Sequence, residues 1–122
     1  MPEEIKWLDR PAPHTYGEAE SFLRLLFSDE AATAYVERLQ GQPIVSFHAK
    51  DVMRASGLAL IKLGRNNKHV NKTLEKIEGG RALSPLLLVR NIGKGVIVAD
   101  GFHRLCGVYL HNEDSDMRCQ IV

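Results

Sequence analysis

The chain has 122 residues, a net charge of +1 and a composition close to the globular average, with 44% hydrophobic and 25% charged residues. That length supports a single domain with its own core and no need of covalent or metal staples, and the composition excludes a disordered or fibrous protein. The near-neutral balance argues neither for nor against nucleic acid, so any anion site has to be local.

The two cysteines, Cys106 and Cys119, have no CxxC spacing and read neither as a disulfide framework nor as a metal set. A reducing, cytoplasmic setting is expected. Residues 1–10 carry Glu3, Glu4, Lys6, Asp9 and Arg10, which is not the pattern of a secretory leader, and no apolar run approaches membrane-spanning length. No membrane partner is expected.

Residues 1–16, marked by Pro2, Pro11 and Pro13, read as an irregular arm. From Gly17 to Gln40 the spacing is helical, with Phe22, Leu25 and Leu26 on one face and Ala31, Ala34, Tyr35 and Leu39 on another. Two helices are predicted, broken near Ser28 and Asp29, which are good N-cap residues for the second. Gly41 and Pro43 close the segment. Its aromatic residues, Trp7, Tyr16, Phe22 and Phe27, are expected to pack on the core rather than form an exposed patch.

Ile44 to Phe47 reads as a short strand and Ala49 to Ser56 as a short helix stopped by Gly57. Leu58 to Leu63 is apolar and fits strand or helix equally by periodicity. Arg65 to Lys72 is the most cationic and amide-rich stretch, and it enters a helix through Val70, Leu74 and Ile77 that stops at Gly79 and Gly80. Ser84 and Pro85 lead into the buried strand Leu86 to Val89, and Arg90 to Lys94 turns it back into Gly95 to Ala99 as a hairpin. A helix follows, apolar at 102, 105, 106, 109 and 110, with Gly107 interrupting its opposite side to permit close packing or leave room for a ligand. After the acidic loop 111–116, residues 117–122 alternate as a closing strand.

The chemistry concentrates where the hairpin's second strand meets that helix, at Asp100, Gly101, Phe102, His103 and Arg104. A helix start leaves backbone N–H groups without partners and carries the positive end of the helix dipole, so this turn suits a phosphate or carboxylate. His103 and Arg104 stand beside it as potential cations, and an arginine fork matches phosphate oxygens. Asp100 is either a helix cap from the turn or a magnesium ligand or base. Lys68 and His69, at the start of the preceding helix, are the second group of candidate phosphate contacts; the bland alternative is a solvated helix start. The five histidines are too scattered to propose a metal site. Glu113, Asp114 and Asp116 read as a solvated loop, with a magnesium ligand as the alternative.

The order of a short strand, a helix leading into a Pro-hydrophobic-hydrophobic-Val strand (Pro85, Leu87, Val89), a hairpin, Asp-Gly-X-His-Arg-Leu at residues 100–105 and a final strand resembles the ParB/sulfiredoxin superfamily. The resemblance covers residues 44–122 and leaves 1–43 as an N-terminal helical extension. It implies an α+β fold, a small mixed sheet with packed helices, preceded by that helical segment. It also implies nucleotide phosphate binding at Gly101, Phe102, His103 and Arg104, with ATP or CTP as the nucleotide, Mg²⁺ as a companion ion and Asp100 as the catalytic candidate.

Sulfiredoxins carry a reactive cysteine between the glycine and the histidine, where this chain has Phe102, so thiol-based sulfinic-acid repair is not expected. Cys106, one turn further on the apolar face, reads as a buried structural thiol. ParB partition proteins continue into a helix-turn-helix region without counterpart in these 122 residues, so operator binding by this chain alone is not expected. Two functions stay open: a nucleotide-binding domain that transfers or hydrolyses phosphate, and a non-enzymatic DNA-associated or partner-binding module. For residues 1–43 the alternatives are a sheet-edge cover, a homodimer contact or a lid on the pocket.

Overall fold

The computed structural model describes residues 4–58, 63–93 and 95–122. It is an α+β structure with helices α1 (His14–Leu23), α2 (Asp29–Gln40), α3 (Ala49–Ser56), α4 (Lys68–Glu78) and α5 (Phe102–His111), and strands β1 (Val45–His48), β2 (Leu86–Asn91), β3 (Gly95–Asp100) and β4 (Asp116–Ile121). The strands form one mixed sheet in the order β1-β4-β2-β3. β1 and β3 run antiparallel to their neighbours, while β4 lies parallel to β2 with Leu86 opposite Cys119.

Residue alternation along the central strands makes two cores. Leu86 and Leu88, with Val98, Met117 and Cys119, point to the face covered by α3, α4 and α5. Leu87 and Val89, with Ala99, point to the other face, where Ala19 and Leu23 of α1 and Ala32, Val36 and Leu39 of α2 cover them. β2 is therefore buried on both faces, which is why it reads as an unbroken apolar run. The N-terminal helices are tied to the sheet by one buried amide. Gln120 accepts from the Tyr16 hydroxyl at 2.6 Å and donates to the Gln42 carbonyl at 2.7 Å.

The break between α1 and α2 falls where the sequence predicts it, and Ser28 Oγ accepts from the Ala31 N–H at 3.2 Å as the N-cap of α2. α1 begins at His14, inside the stretch expected to be irregular, because Pro13 already has helical φ and ψ and starts the turn. Tyr16 and Phe27 pack against the second core and Trp7 against the first, while Phe22 stays 41% exposed. Gly57 adopts φ +72° and ends α3. The ambiguous stretch 58–63 falls mostly on residues 59–62, outside the described residues, as does Lys94 of the hairpin turn. No helix among the described residues is long and apolar enough to cross a membrane.

α5 buries most of the expected face, with Phe102 and Tyr109 packed on the same core as Leu105 and Cys106, and departs from it at Leu110 and Gly107. Its buried residues are Leu105, Cys106, Gly107 and Val108, and Leu110 is 43% exposed. Gly107 lies inside the contact with α4, not on the opposite side. A Cβ there would sit 2.6 Å from Thr73 Cγ2 and 2.8 Å from Thr73 Cβ. Of the two roles open to this glycine, it serves the close packing of helices.

Candidate functional site

β3 delivers Asp100 to the end of the sheet, and Gly101 turns the chain into α5 with φ +111°. A side chain is excluded here twice over. The backbone angle disfavours it, and a Cβ would sit 2.7 Å from Leu86 Cγ and 2.9 Å from Arg104 Nη2. α5 then starts with no side chain capping it. Its first-turn amides thus project the positive end of the helix toward the turn without a side-chain acceptor.

Arg104 bends back over that turn. Its Nη2 donates to Asp100 Oδ2 at 2.7 Å, with the two side chains only 22% and 10% exposed. The i,i+4 spacing across the helix start makes this pairing geometrically natural. Of the guanidinium nitrogens, Nε is buried with no hydrogen-bond partner among the described residues. Asp100 is therefore engaged with Arg104 and does not cap the helix, and Arg104 is a tethered cation.

The second candidate group comes in from α4. Because Thr73 meets the bare backbone at Gly107, α4 and α5 lie close enough for His69 and His103 to touch, with ring centroids 4.8 Å apart. Burial is the largest influence on His103; with the neighbouring His69 and Arg104 it holds the imidazole below its ordinary proton affinity. At neutral pH His103 is therefore a hydrogen-bonding ring, where the sequence suggested a potential cation. α4 differs from α5 in being capped already. Asn67 Oδ1 accepts from the N–H groups of His69 at 3.0 Å and Val70 at 3.2 Å.

The remaining candidates are more dispersed. Phe102 is half-buried against the core, its ring 5.8 Å from that of His103. Lys68 is exposed and shares a shallow surface groove along α4 with His69, Asn71, Lys72 and Glu75. The cationic stretch carries counter-charges of its own: Arg65 reaches Glu78 at 3.4 Å, and Asn71 donates to Glu75 at 2.8 Å. The acidic loop is tied to α3 and β1, with Lys50 on Asp114 at 2.7 Å and His48 Nδ1 3.4 Å from Asp116. That lysine holds the Asp114 carboxyl below the usual carboxylate range. No group of three or more His, Cys, Asp or Glu side chains among the described residues is arranged to hold a metal ion.

Both cysteines are buried and neither forms a disulfide. Cys106 Sγ accepts from the Leu63 N–H at 3.4 Å, and burial pushes the Cys119 thiol up to about 12 despite the nearby Arg90. Neither has the environment of a nucleophilic thiolate.

Two features of the site lie beyond the sequence reading. The Asp100–Arg104 pair is signalled only by its four-residue spacing across a helix start. The Thr73–Gly107 contact has no local signal, since it joins positions on two helices whose approach is set by the whole fold. Comparison with protein-family models, with curated proteins and with solved structures yields no match to this chain.

Proposed function

We propose that this chain binds the phosphate group of a nucleotide, ATP or CTP, at the Asp100–Arg104 turn, as a member of the ParB/sulfiredoxin-like superfamily. The observation that carries this reading is the uncapped start of α5 at Gly101, overhung by a tethered guanidinium whose buried Nε has no partner among the described residues. The uncapped amides and the guanidinium charge beside them favour an anion at the turn. In this reading the amides of Phe102, His103 and Arg104 receive phosphate oxygens, and Arg104 neutralises them. His103 donates from the first turn of α5 and His69 from α4, and Lys68 supplies longer-range charge.

Asp100 acts by positioning Arg104. Mg²⁺ arrives with the nucleotide, because Asp100, the carboxylate at the turn, is already engaged with Arg104. Transfer or hydrolysis of the phosphate would rest on positioning and charge neutralisation, which carry most of the catalysis in phosphoryl transfer. With Phe102 in the sulfiredoxin cysteine position, thiol chemistry has no part. The two buried thiols, neither of them in a disulfide, support a cytoplasmic setting.

Titration calorimetry of ATP, ADP, CTP and GTP, with and without Mg²⁺, tests this. One nucleotide should saturate the wild type and bind about tenfold or more weakly to Arg104→Ala and to His103→Gln. Absence of binding by all four overturns the reading. Binding of duplex DNA that is indifferent to added nucleotide and falls steeply with salt would replace it with the DNA-associated alternative.

A further inference from the structure

At the end of the sheet away from Gly101, a cleft of about 170 Å³ opens between α3 and the strands. Phe47, Val52, Leu88, Val96 and Ile121 give it an apolar lining. A dry apolar cavity of about 150 Å³ is large enough for a benzene ring. The cleft is preformed, because the start of β3 is pressed against α3. A Cβ on Gly95, whose φ is +80°, would collide with the backbone carbonyl of Ala55. That contact fixes the spacing of helix and sheet. The two charged residues in the lining are Arg90 and Asp51. Asp51 Oδ1 accepts from Arg54 at 3.1 Å. Arg90 is exposed and has no acidic partner among the described residues. Among the side chains that line this apolar cleft, the unbalanced charge is therefore positive.

We propose that this cleft is a second ligand site, which takes a small monocarboxylate with an apolar body, of about the size of benzoate. The ring or short chain lies on Leu88, Val96 and Ile121, and the carboxylate meets the Arg90 guanidinium. Mostly apolar lining with one convergent charge is the usual anatomy of a small-molecule site. The cleft shares no residue with the Asp100–Arg104 turn, and the two stand at opposite ends of β3, about 16 Å apart along the strand. The nucleotide reading and this one therefore fail separately.

Two-dimensional NMR of the full chain tests it, with benzoate as the probe and acetate, cyclohexanol and benzylamine as controls. Benzoate should saturably shift the amides of Val52, Leu88, Val96 and Ile121, and acetate should not. Arg90→Gln should weaken benzoate about tenfold and leave cyclohexanol unchanged, as loss of one charge-assisted contact predicts. Ala55→Leu, at an exposed helix position, should fill the cleft and abolish binding of both while the spectrum stays folded. The proposal is overturned by the absence of saturable shifts at these amides, by benzylamine or acetate binding as well as benzoate, or by an Arg90→Gln variant that binds benzoate like the wild type.

Discussion

β3 is bounded by a positive-φ glycine at each end, Gly95 where the strand starts and Gly101 where it gives way to α5. At Gly101 the chain meets charge: a helix start, a guanidinium tied to a carboxylate, and two imidazoles in contact. At Gly95 it meets apolar surface and the backbone of α3. The two glycines are needed for different reasons. Gly95 is pinned by a carbonyl that cannot rotate away. Gly101 is crowded by side-chain atoms instead, Cγ of the buried Leu86 and Nη2 of the tethered Arg104. One end of the strand is held by main chain, the other by packed side chains.

Substitution at the two glycines gives the largest expected effects and bears directly on that contrast. Gly95→Ala should cost about 3 kcal/mol or more, since strained φ adds to an overlap that only a backbone shift relieves. Gly101→Ala should cost about 2 kcal/mol, because displacing packed side chains is less demanding than displacing main chain. Urea unfolding of both variants measures the order, and equal losses would erase the distinction. Arg104→Ala comes next. It leaves the Asp100 carboxylate, 10% exposed, without its partner and should cost about 2 kcal/mol. A double-mutant cycle combining Asp100→Asn with Arg104→Ala isolates the pair.

A smaller effect is expected away from β3. Tyr16→Phe removes the donor to the buried Gln120 Oε1 and should cost about 1–2 kcal/mol. A variant that loses nothing would mean the Tyr16 hydroxyl adds nothing to the apolar packing and the remaining Gln120–Gln42 bond that hold the N-terminal helices. The smallest effect is the pH response of His103. Its folded-state proton affinity is depressed below the ordinary 6.5, so the unfolded chain binds the proton more readily. Its contribution to stability is therefore full above about pH 6.5 and is lost as the pH falls through the lower, folded-state value. The urea midpoint should drop with acidification across that window, and His103→Gln should flatten the drop. A midpoint that rises instead would reverse the assignment of a mainly desolvated ring.

Much of this architecture is legible in local signals. Ser28 caps α2, Gly57 stops α3, Gly79 follows α4, and the hairpin joins two apolar strands around a glycine turn. Local chemistry suffices because caps and stops act on backbone groups a few residues away. Sheet order is out of reach, since the parallel pairing of β4 with β2 joins residues more than thirty positions apart and leaves no mark at either strand. The parts of Leu110 and Gly107 in α5 are hidden for the same reason, while Phe102, Leu105, Cys106 and Tyr109 face inward as their spacing predicts. By periodicity Leu110 counts as apolar and Gly107 as a gap, whereas the approach of α4 makes Gly107 the point of closest contact. At the candidate site, the residue types and the meeting of the two helix starts are legible. The tethering of Arg104 and the neutral tendency of His103 are not, because both depend on burial.

The Thr73–Gly107 contact also has an evolutionary reading. Two methyl-sized groups cannot share that space, so positions 73 and 107 are not free to drift independently. Where a descendant of this chain acquires alanine at 107, a smaller residue at 73 should have preceded it or arrived with it. The reverse order would separate His69 from His103 during the interval, and lineages that rely on that pair would not survive it. A paired exchange at these two positions, with the histidines retained, is the signature to look for among its relatives.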